Sequence, residues 1–392
     1  MSSQAIAIKA AARQRFLLVL LFAGFVLTGV EITVAGPMLP LFIQRWSLTD
    51  AQAGNFFLVQ FSGSLAGVWL SSLIAHYWGT RASLVLGYIL VGVGLATINA
   101  SSITVAILAL AALGIGYGLV VPPTNLGVAA IGGARSASLV SLVNFAWGAG
   151  AVSCSPLVLF ALKNGRLSQL LFLLAGLGCL LAFLFLFAVF PEAKHSAADS
   201  LANSAARVGR TATIALAALF FLYVGMESSL GGWAAAHVKR LADAGIGIST
   251  LAPMFFYGGL MAGRALAPLI LARVSEYRLV MAALFLVIIG TTIFILAERQ
   301  LIAFVSVAFA GLGCATIFPI CVAWLSRWYG SKTGKMSGLM FSMSSLGSSA
   351  VPPFVGFVST HAGGLRVGLL VPLLSAVAMI FLLLLVRRQA AA

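Results

Sequence analysis

Acidic side chains are nearly missing from this chain, eight in 392 residues against 23 lysines and arginines. Charged residues of both signs make up only 8 %, where soluble domains carry roughly 25 %; a water-soluble globular protein is excluded. Cysteine is scarce too. Cys154, Cys179, Cys314 and Cys321 all fall inside apolar stretches without CxxC or metal-ligand spacing, so they read as small core residues rather than a disulfide framework or a metal centre. His76, His195, His237 and His361 lie at the ends of apolar stretches or in loops. No phosphate-binding glycine loop and no nucleophile paired with a base is present. ATP-driven transport and catalysis are therefore disfavoured, and no cofactor is called for. The net charge of +15 is not arranged for nucleic acid, because no dense basic run carries interleaved aromatics. Nor is a cleavable leader expected. Arg13 and Arg15 precede an apolar run too long for one, and no small-residue cleavage site ends it promptly.

What is present is hydrocarbon. Apolar residues make up 61 % of the chain, the mean hydropathy is +1.11, and 41 glycines suit helices that approach closely in a bilayer. A helix needs about 20 apolar residues to span the hydrocarbon core. Twelve such spans are predicted, at 16–42, 50–75, 82–100, 103–131, 137–161, 169–190, 212–238, 248–271, 279–297, 301–328, 337–361 and 365–387. The runs are continuous rather than alternating, which excludes a β-barrel.

Basic residues orient these spans. Lys9, Arg13, Arg15, Arg81, Arg135, Lys194, Arg207, Arg210, Arg273, Arg278, Arg327, Lys332, Lys335, Arg387 and Arg388 fall on the side of the N-terminus. The other side holds only Arg45, Lys163, Arg166, Lys239, Arg240, Arg299 and Arg366. Both termini are thus expected in the cytoplasm of a multi-pass protein of the bacterial inner membrane. The longest polar stretch, 191–211, reads as a cytoplasmic linker between an N-terminal bundle at 1–190 and a C-terminal bundle at 212–392.

Two carboxylates interrupt the apolar background. Glu31, in Gly29-Val30-Glu31, is the only acid in the first span; Glu227, in Gly225-Met226-Glu227, is the only acid in the seventh. They stand half a chain apart, and other features repeat at nearly the same shift: Gly67 with Gly263, Arg81 with Arg278, Gly114-x-Gly116 with Gly311-x-Gly313, and Pro122 with Pro319. The expected fold is an all-α membrane protein of twelve transmembrane helices in two pseudo-symmetric six-helix bundles. Such repeats place a binding site between them near the midplane, the layout of a secondary transporter.

Several motifs resemble the major facilitator superfamily. Gly79-Thr80-Arg81 is a reduced form of that superfamily's cytoplasmic loop after the second helix, without the usual acid. The stretch 272–278, with Arg273 and Arg278, is a degenerate second copy. Phe221-Leu222-Tyr223-Val224-Gly225-Met226-Glu227, Gly231-Gly232-Trp233, Ala315-Thr316-Ile317-Phe318-Pro319, Ser337-Gly338-Leu339, Val351-Pro352-Pro353-Phe354-Val355-Gly356 and Leu370-Val371-Pro372-Leu373 resemble the fucose permease-like sugar symporters, a group that includes sodium-coupled glucose transporters. The resemblance implies ion-coupled sugar transport by alternating access. The proton-coupled relatives place acids on their first and fourth helices. Here the fourth span offers Tyr117, Thr124 and Asn125 and no acid, which leaves proton and sodium both open.

A carboxylate at mid-depth marks a functional site by default. With no basic side chain evident at matching depth, Glu31 and Glu227 are read as binding the coupling ion, the substrate or both. The plain alternative is a protonated glutamate bonded to a neighbouring helix. Trp233 and Trp147 offer faces for a sugar ring, or simply pack. Gln60, Asn125 and Asn144 match hydroxyl-rich ligands because amides donate and accept; they serve equally as interhelical hydrogen bonds. Tyr117, Tyr223 and Tyr257 complete the substrate candidates. Arg81, Arg264, Arg273, Pro122 and Pro319 are read as structural or gating residues, with bends expected at Pro122-Pro123 and Pro352-Pro353. The expected partners are a sugar-like small molecule, a proton or sodium ion and the lipid bilayer, with the protein a monomer. A proton-coupled antiporter exporting cationic amphiphiles stands as the alternative. A non-transporting receptor built on the same fold would need large soluble extensions, and none is apparent.

Overall fold

The computed structural model describes residues 3–132, 135–190, 209–241, 245–330 and 333–390. The predicted linker 191–211 lies outside the described residues as far as 208, and with it Lys194, His195 and Arg207. Lys332 and the side chains of Lys9, Lys335, Arg387 and Arg388 lie outside them as well.

Among the described residues every regular element is helical: α1 (Ser3–Thr33), α2 (Ala35–Trp46), α3 (Asp50–Thr97), α4 (Ile103–Gly132), α5 (Ser136–Lys163), α6 (Leu167–Leu186), α7 (Arg210–Lys239), α8 (Ile246–Ser249), α9 (Ala252–Leu271), α10 (Glu276–Leu296), α11 (Gln300–Cys314), α12 (Ile317–Tyr329), α13 (Thr333–His361), α14 (Leu365–Gly368) and α15 (Leu370–Ala390). Ten of the described helical stretches are long and apolar enough to cross a membrane. One of them, the 48-residue α3, is about 72 Å of helix, twice what a bilayer core needs. It divides at Gly79, whose φ of 84° is open to glycine but not to ordinary L-residues. It holds the predicted span 50–75 and the predicted span 82–100 as far as Thr97. The 29-residue α13 is long enough for a further span; its serines lower its hydropathy.

The remaining breaks have one cause. α1 ends at Thr33, α8 at Ser249 and α14 at Gly368, and a helical interruption covers Ala315 and Thr316. Thr33, Ser249, Ala315 and Gly368 each lie four residues before a proline: Pro37, Pro253, Pro319 and Pro372. Proline has no N–H for the carbonyl four residues back, and its ring crowds that carbonyl. The proline pairs, where bends are expected, do not end a helix. α4 runs continuously through Pro122-Pro123 and α13 through Pro352-Pro353, since neighbouring helices can satisfy freed backbone groups in a membrane protein.

The chain forms two compact units. The first comprises Met1–Val34 with Val59–Ser196; the second comprises Ala35–Leu58 with Ala197–Ala392. The tip of the first helical hairpin therefore belongs with the C-terminal helices, where specific bonds hold it. Thr49 and Gln52 form a reciprocal capping box at the start of α3. Asp50 accepts from both guanidinium nitrogens of Arg240, at the end of α7, and from the Ser359 hydroxyl on α13. The Ala51 amide donates to Thr360 Oγ1 (2.9 Å).

This cluster is asymmetric in exposure, 9 % for the Asp50 side chain and 39 % for that of Arg240. Arg240→Ala strands the buried carboxylate, whereas Asp50→Ala leaves a cation that water can reach. We expect thermal unfolding to show the arginine substitution as the costlier, by on the order of 2 kcal/mol.

Close glycine contacts hold each unit together, and they repeat. In the first, a Cβ on Gly29 would overlap the Trp147 carbonyl, and one on Gly150 would overlap that of Val26, so α1 lies directly on α5. In the second, the corresponding Gly225 and Gly347 meet Val351 and the Phe221 carbonyl, which seats α7 on α13. Gly114 against Gln60 and Gly311 against Phe256 repeat the pattern once more. Because the obstacle at Gly150 is backbone, Gly150→Leu must push two helices apart. A loss of about 3 kcal/mol or more is expected, read as a lower melting temperature in size-exclusion chromatography of heated samples.

Large apolar side chains cover the outside, including Trp69, Leu108, Leu126, Phe160, Phe172 and Leu301. Such a surface is a liability in water and the proper one against lipid tails.

Candidate functional site

The Gly-x-Glu pattern is a positioning device. Side chains advance about 100° per residue around a helix. With Gly29 pressed on α5, Glu31 projects from the opposite side of α1; with Gly225 pressed on α13, Glu227 does the same on α7. The two carboxylates are equivalent by repeat, yet their surroundings differ.

In the first unit, Glu31 is completely buried and neither carboxylate oxygen has a hydrogen-bond partner. Two residues on, α1 breaks. Gln60, also completely buried, donates from Nε2 to the Ile32 carbonyl at that break (3.1 Å), leaving its Oε1 without a partner. Tyr88 lies within electrostatic reach of Glu31. Its hydroxyl, also unpartnered, faces Gly24, two turns before Glu31 on the same side of α1, and its ring stacks on Phe185 (5.5 Å). Sequence reasoning missed Tyr88 because its link to Glu31 is tertiary. Asn125 and Asn144 bond one another (2.9 Å), and each also donates to a carbonyl of its own helix. Tyr117 and Trp147 are half-buried; the Trp147 carbonyl forms the seat of Gly29.

In the second unit, Glu227 is half-buried and has company. Tyr223, one turn earlier, donates to the Cys314 carbonyl at the end of α11 (2.9 Å) and lies against the Glu227 carboxylate. Arg264 acts electrostatically on Tyr223 and Cys314, the same two groups that Glu227 acts on. Its Nε is buried without a hydrogen-bond partner. Arg264 is thus the basic side chain that shares electrostatic neighbours with Glu227, although no ion pair joins the two among the described residues.

The other candidates fall apart from these groups. Trp233 is fully enclosed, its Nε1 donating to the Pro352 carbonyl (2.9 Å) and its ring 5.8 Å from Phe57. Tyr257 fills the space left by the missing side chain of Gly231. Arg81 donates to the Leu186 carbonyl (3.1 Å) and so caps α6. Arg273 is exposed. Near it, Glu276 at the start of α10 pairs with Arg327 and accepts from Trp324 Nε1 (2.7 Å). Pro122 sits within the unbroken α4, and Pro319 marks the α11–α12 break. Among the described residues no group of three or more His, Cys, Asp or Glu side chains comes together as a metal site.

The family model of the major facilitator superfamily matches residues 21–303 and 270–392. This chain belongs to the major facilitator superfamily. Solved superfamily structures share its fold. A bacterial homologue of the human lysosomal transporter Spinster superposes with a TM-score of 0.76 at 15 % identity, covering 96 % of this chain and 97 % of that one. The D-xylose–proton symporter gives 0.71 at 18 %, over 93 % and 96 %. The fucose–proton symporter of E. coli gives 0.61 at 17 %, over 94 % and 98 %. In sequence, sodium-dependent glucose transporter 1 of Xenopus laevis is 26 % identical over 209 residues, 51 % of this chain and 41 % of that protein. The match therefore spans less than half the length of that relative. As a superfamily member the protein is a transporter and not an enzyme. Glu31 sits on α1 and Glu227 on α7.

Proposed function

We propose that this protein imports a sugar or related polyol, coupled to a proton or sodium gradient, by alternating access of its two repeats. The observation that carries the reading is the unequal environment of the repeat-equivalent glutamates. Glu31 is buried without a hydrogen-bond partner, as befits a group that takes up and releases a cation. Glu227 is half-open and lies with Tyr223 and Arg264, a set of acceptors and donors suited to hydroxyl groups. The xylose, fucose and glucose named for its relatives support a sugar. Arg264 beside Glu227 opposes a cationic cargo there, so export of cationic amphiphiles is the weaker reading. The transporter works as a monomer in the bacterial inner membrane with both termini in the cytoplasm, joined halves at 1–190 and 212–392, and linker 191–211.

The test is a screen of labelled sugars in proteoliposomes under imposed sodium or proton gradients. Accumulation of at least one sugar is expected. Absence of sugar uptake together with export of lipophilic cations would reverse the proposal.

A further inference from the structure

The tip of the first helical hairpin is bonded to helices of the other sequence repeat. Asp50, at the start of α3, accepts two hydrogen bonds from the Arg240 guanidinium and one from the Ser359 hydroxyl. The adjacent Ala51 amide donates to Thr360 Oγ1 (2.9 Å). Asp50 and Ala51 belong to the first repeat. Arg240 closes α7, and Ser359 and Thr360 lie at the end of α13, both in the second repeat. All of these residues fall within the second compact unit. The repeated scaffold does not demand the cluster. At the shift that relates Glu31 to Glu227, the counterparts of Asp50, Arg240 and Ser359 are Ile246, Gln44 and Lys163, with no acid among them.

The surface beneath the cluster is made mainly of small residues and backbone. Asp50, Ala53, Gly54 and Phe57 recur at the spacing of one helix face. Gly54 meets the backbone of Pro353, Phe57 covers Gly232, and the Asp50 carbonyl lies where a Cβ on Gly356 would fall. On α2, Gly36 rests against the Gly231 carbonyl. Ala53, in the middle of the α3 face, is completely buried. Apart from Phe57, few side chains interlock here, so the two surfaces can part without unpacking the helices behind them. Trp233 spends its Nε1 on the Pro352 carbonyl within the second repeat, and parting breaks no bond there. The holding strength lies in the polar cluster, where Asp50 is shielded and Arg240 is open to water. A wholly buried pair would strand two charges on opening, and a wholly exposed one would hold little. This pair lies between those limits.

We infer that Asp50, Arg240, Ser359 and Thr360 form a clasp that holds the hairpin tip to α7 and α13 and opens each time the two repeats part at that end. The inference rests on the alternating-access reading and assigns residues to one of its gates. Bonds made in one state and not the other bias the equilibrium by their full differential free energy. The clasp touches neither Glu31 nor Glu227. It sets how often its end of the transporter opens, not which ligand is taken.

The experiment follows the rate at which a hydrophilic maleimide labels Ala53→Cys in the full chain, its four native cysteines replaced by alanine, in nanodiscs. Slow labelling is expected with the clasp intact. Asp50→Asn and Arg240→Gln should each speed it on the order of tenfold, within the usual range of conformational coupling. The double substitution should speed it no further than either alone, since both changes break one set of bonds. Melting temperatures taken in parallel keep the labelling below the onset of unfolding. A second variant closes the clasp instead of breaking it, and so reports even where a broken clasp does not fold. Ala51→Cys with Thr360→Cys places two thiols where the present bond brings the chains together, within disulfide reach. Oxidation should slow the labelling of Ala53→Cys by about tenfold or more, and a reductant should restore it. Labelling that neither the substitutions nor oxidation changes overturns the clasp and leaves the transporter reading standing. Labelling that responds as stated without transport of any sugar defeats the sugar reading and leaves the clasp intact.

Discussion

Glu31→Gln is expected to abolish gradient-driven accumulation of substrate while sparing exchange of substrate across the membrane. Glutamine keeps the size and shape of the side chain and removes only its capacity for charge. The variant therefore mimics one permanent state of the switch. An ion shifts a conformational equilibrium only through its differential affinity for the two states. Once the ion no longer binds, that shift is gone, and with coupling free energies at the upper end of the usual range, accumulation falls by about 100-fold. Exchange needs no ion turnover and should persist. Stability should move the other way. A buried carboxylate without a hydrogen bond is costly, and removing it should leave the melting temperature unchanged or raised. Two assays in the same proteoliposomes decide the matter: accumulation under a gradient and counterflow without one. Accumulation at the level of the natural protein would remove Glu31 from the coupling path.

The parts of this arrangement differ in how far they can be read from residues alone. The spans are legible because the bilayer demands long apolar runs, and each predicted span has its helices. The repeat is legible because glycines that seat one helix on another tolerate no substitute, so Gly29 with Gly225 and Gly114 with Gly311 persist at a near-constant shift. Their contacts in the structure show the physical reason. The proline breaks are only half legible. Pro37, Pro253, Pro319 and Pro372 interrupt helices, while Pro122-Pro123 and Pro352-Pro353 do not. At Pro123 the freed Leu119 carbonyl accepts from the Ser83 and Ser71 hydroxyls, a tertiary support that local sequence does not record. The charge of Arg264 is hard to locate from sequence for a related reason. Depth along a span locates the Cα, but a long side chain can carry its charge well away from it. The membership of Ala35–Leu58 in the second unit depends on Asp50 finding Arg240 and Ser359, contacts between residues far apart in the chain.

The second large effect concerns Glu227, and it should differ in kind from that of Glu31. Glu227 lies in a polar group with Tyr223 and Arg264 rather than among unmatched acceptors. A carboxylate that hydrogen-bonds substrate hydroxyls contributes about 1.5–3 kcal/mol, so Glu227→Gln should raise the KM for sugar by about 10–100-fold. Coupling to the ion gradient should stay that of the natural protein. Arg264→Gln should be comparably damaging, because it removes the basic side chain whose field reaches Tyr223 and Cys314 beside Glu227. The double substitution should then cost less than the sum of the two, since each single change strands a partner that the double change removes. Measured as a cycle on sugar counterflow, that coupling would establish Glu227 and Arg264 as one substrate-facing unit. Additive effects would separate them. A Glu227→Gln variant that loses ion coupling and keeps its sugar affinity would return the two glutamates to a single shared role. That comparison is strict, because α1 and α7 present the two carboxylates at the same register from a glycine seat, while the groups around each carboxylate differ.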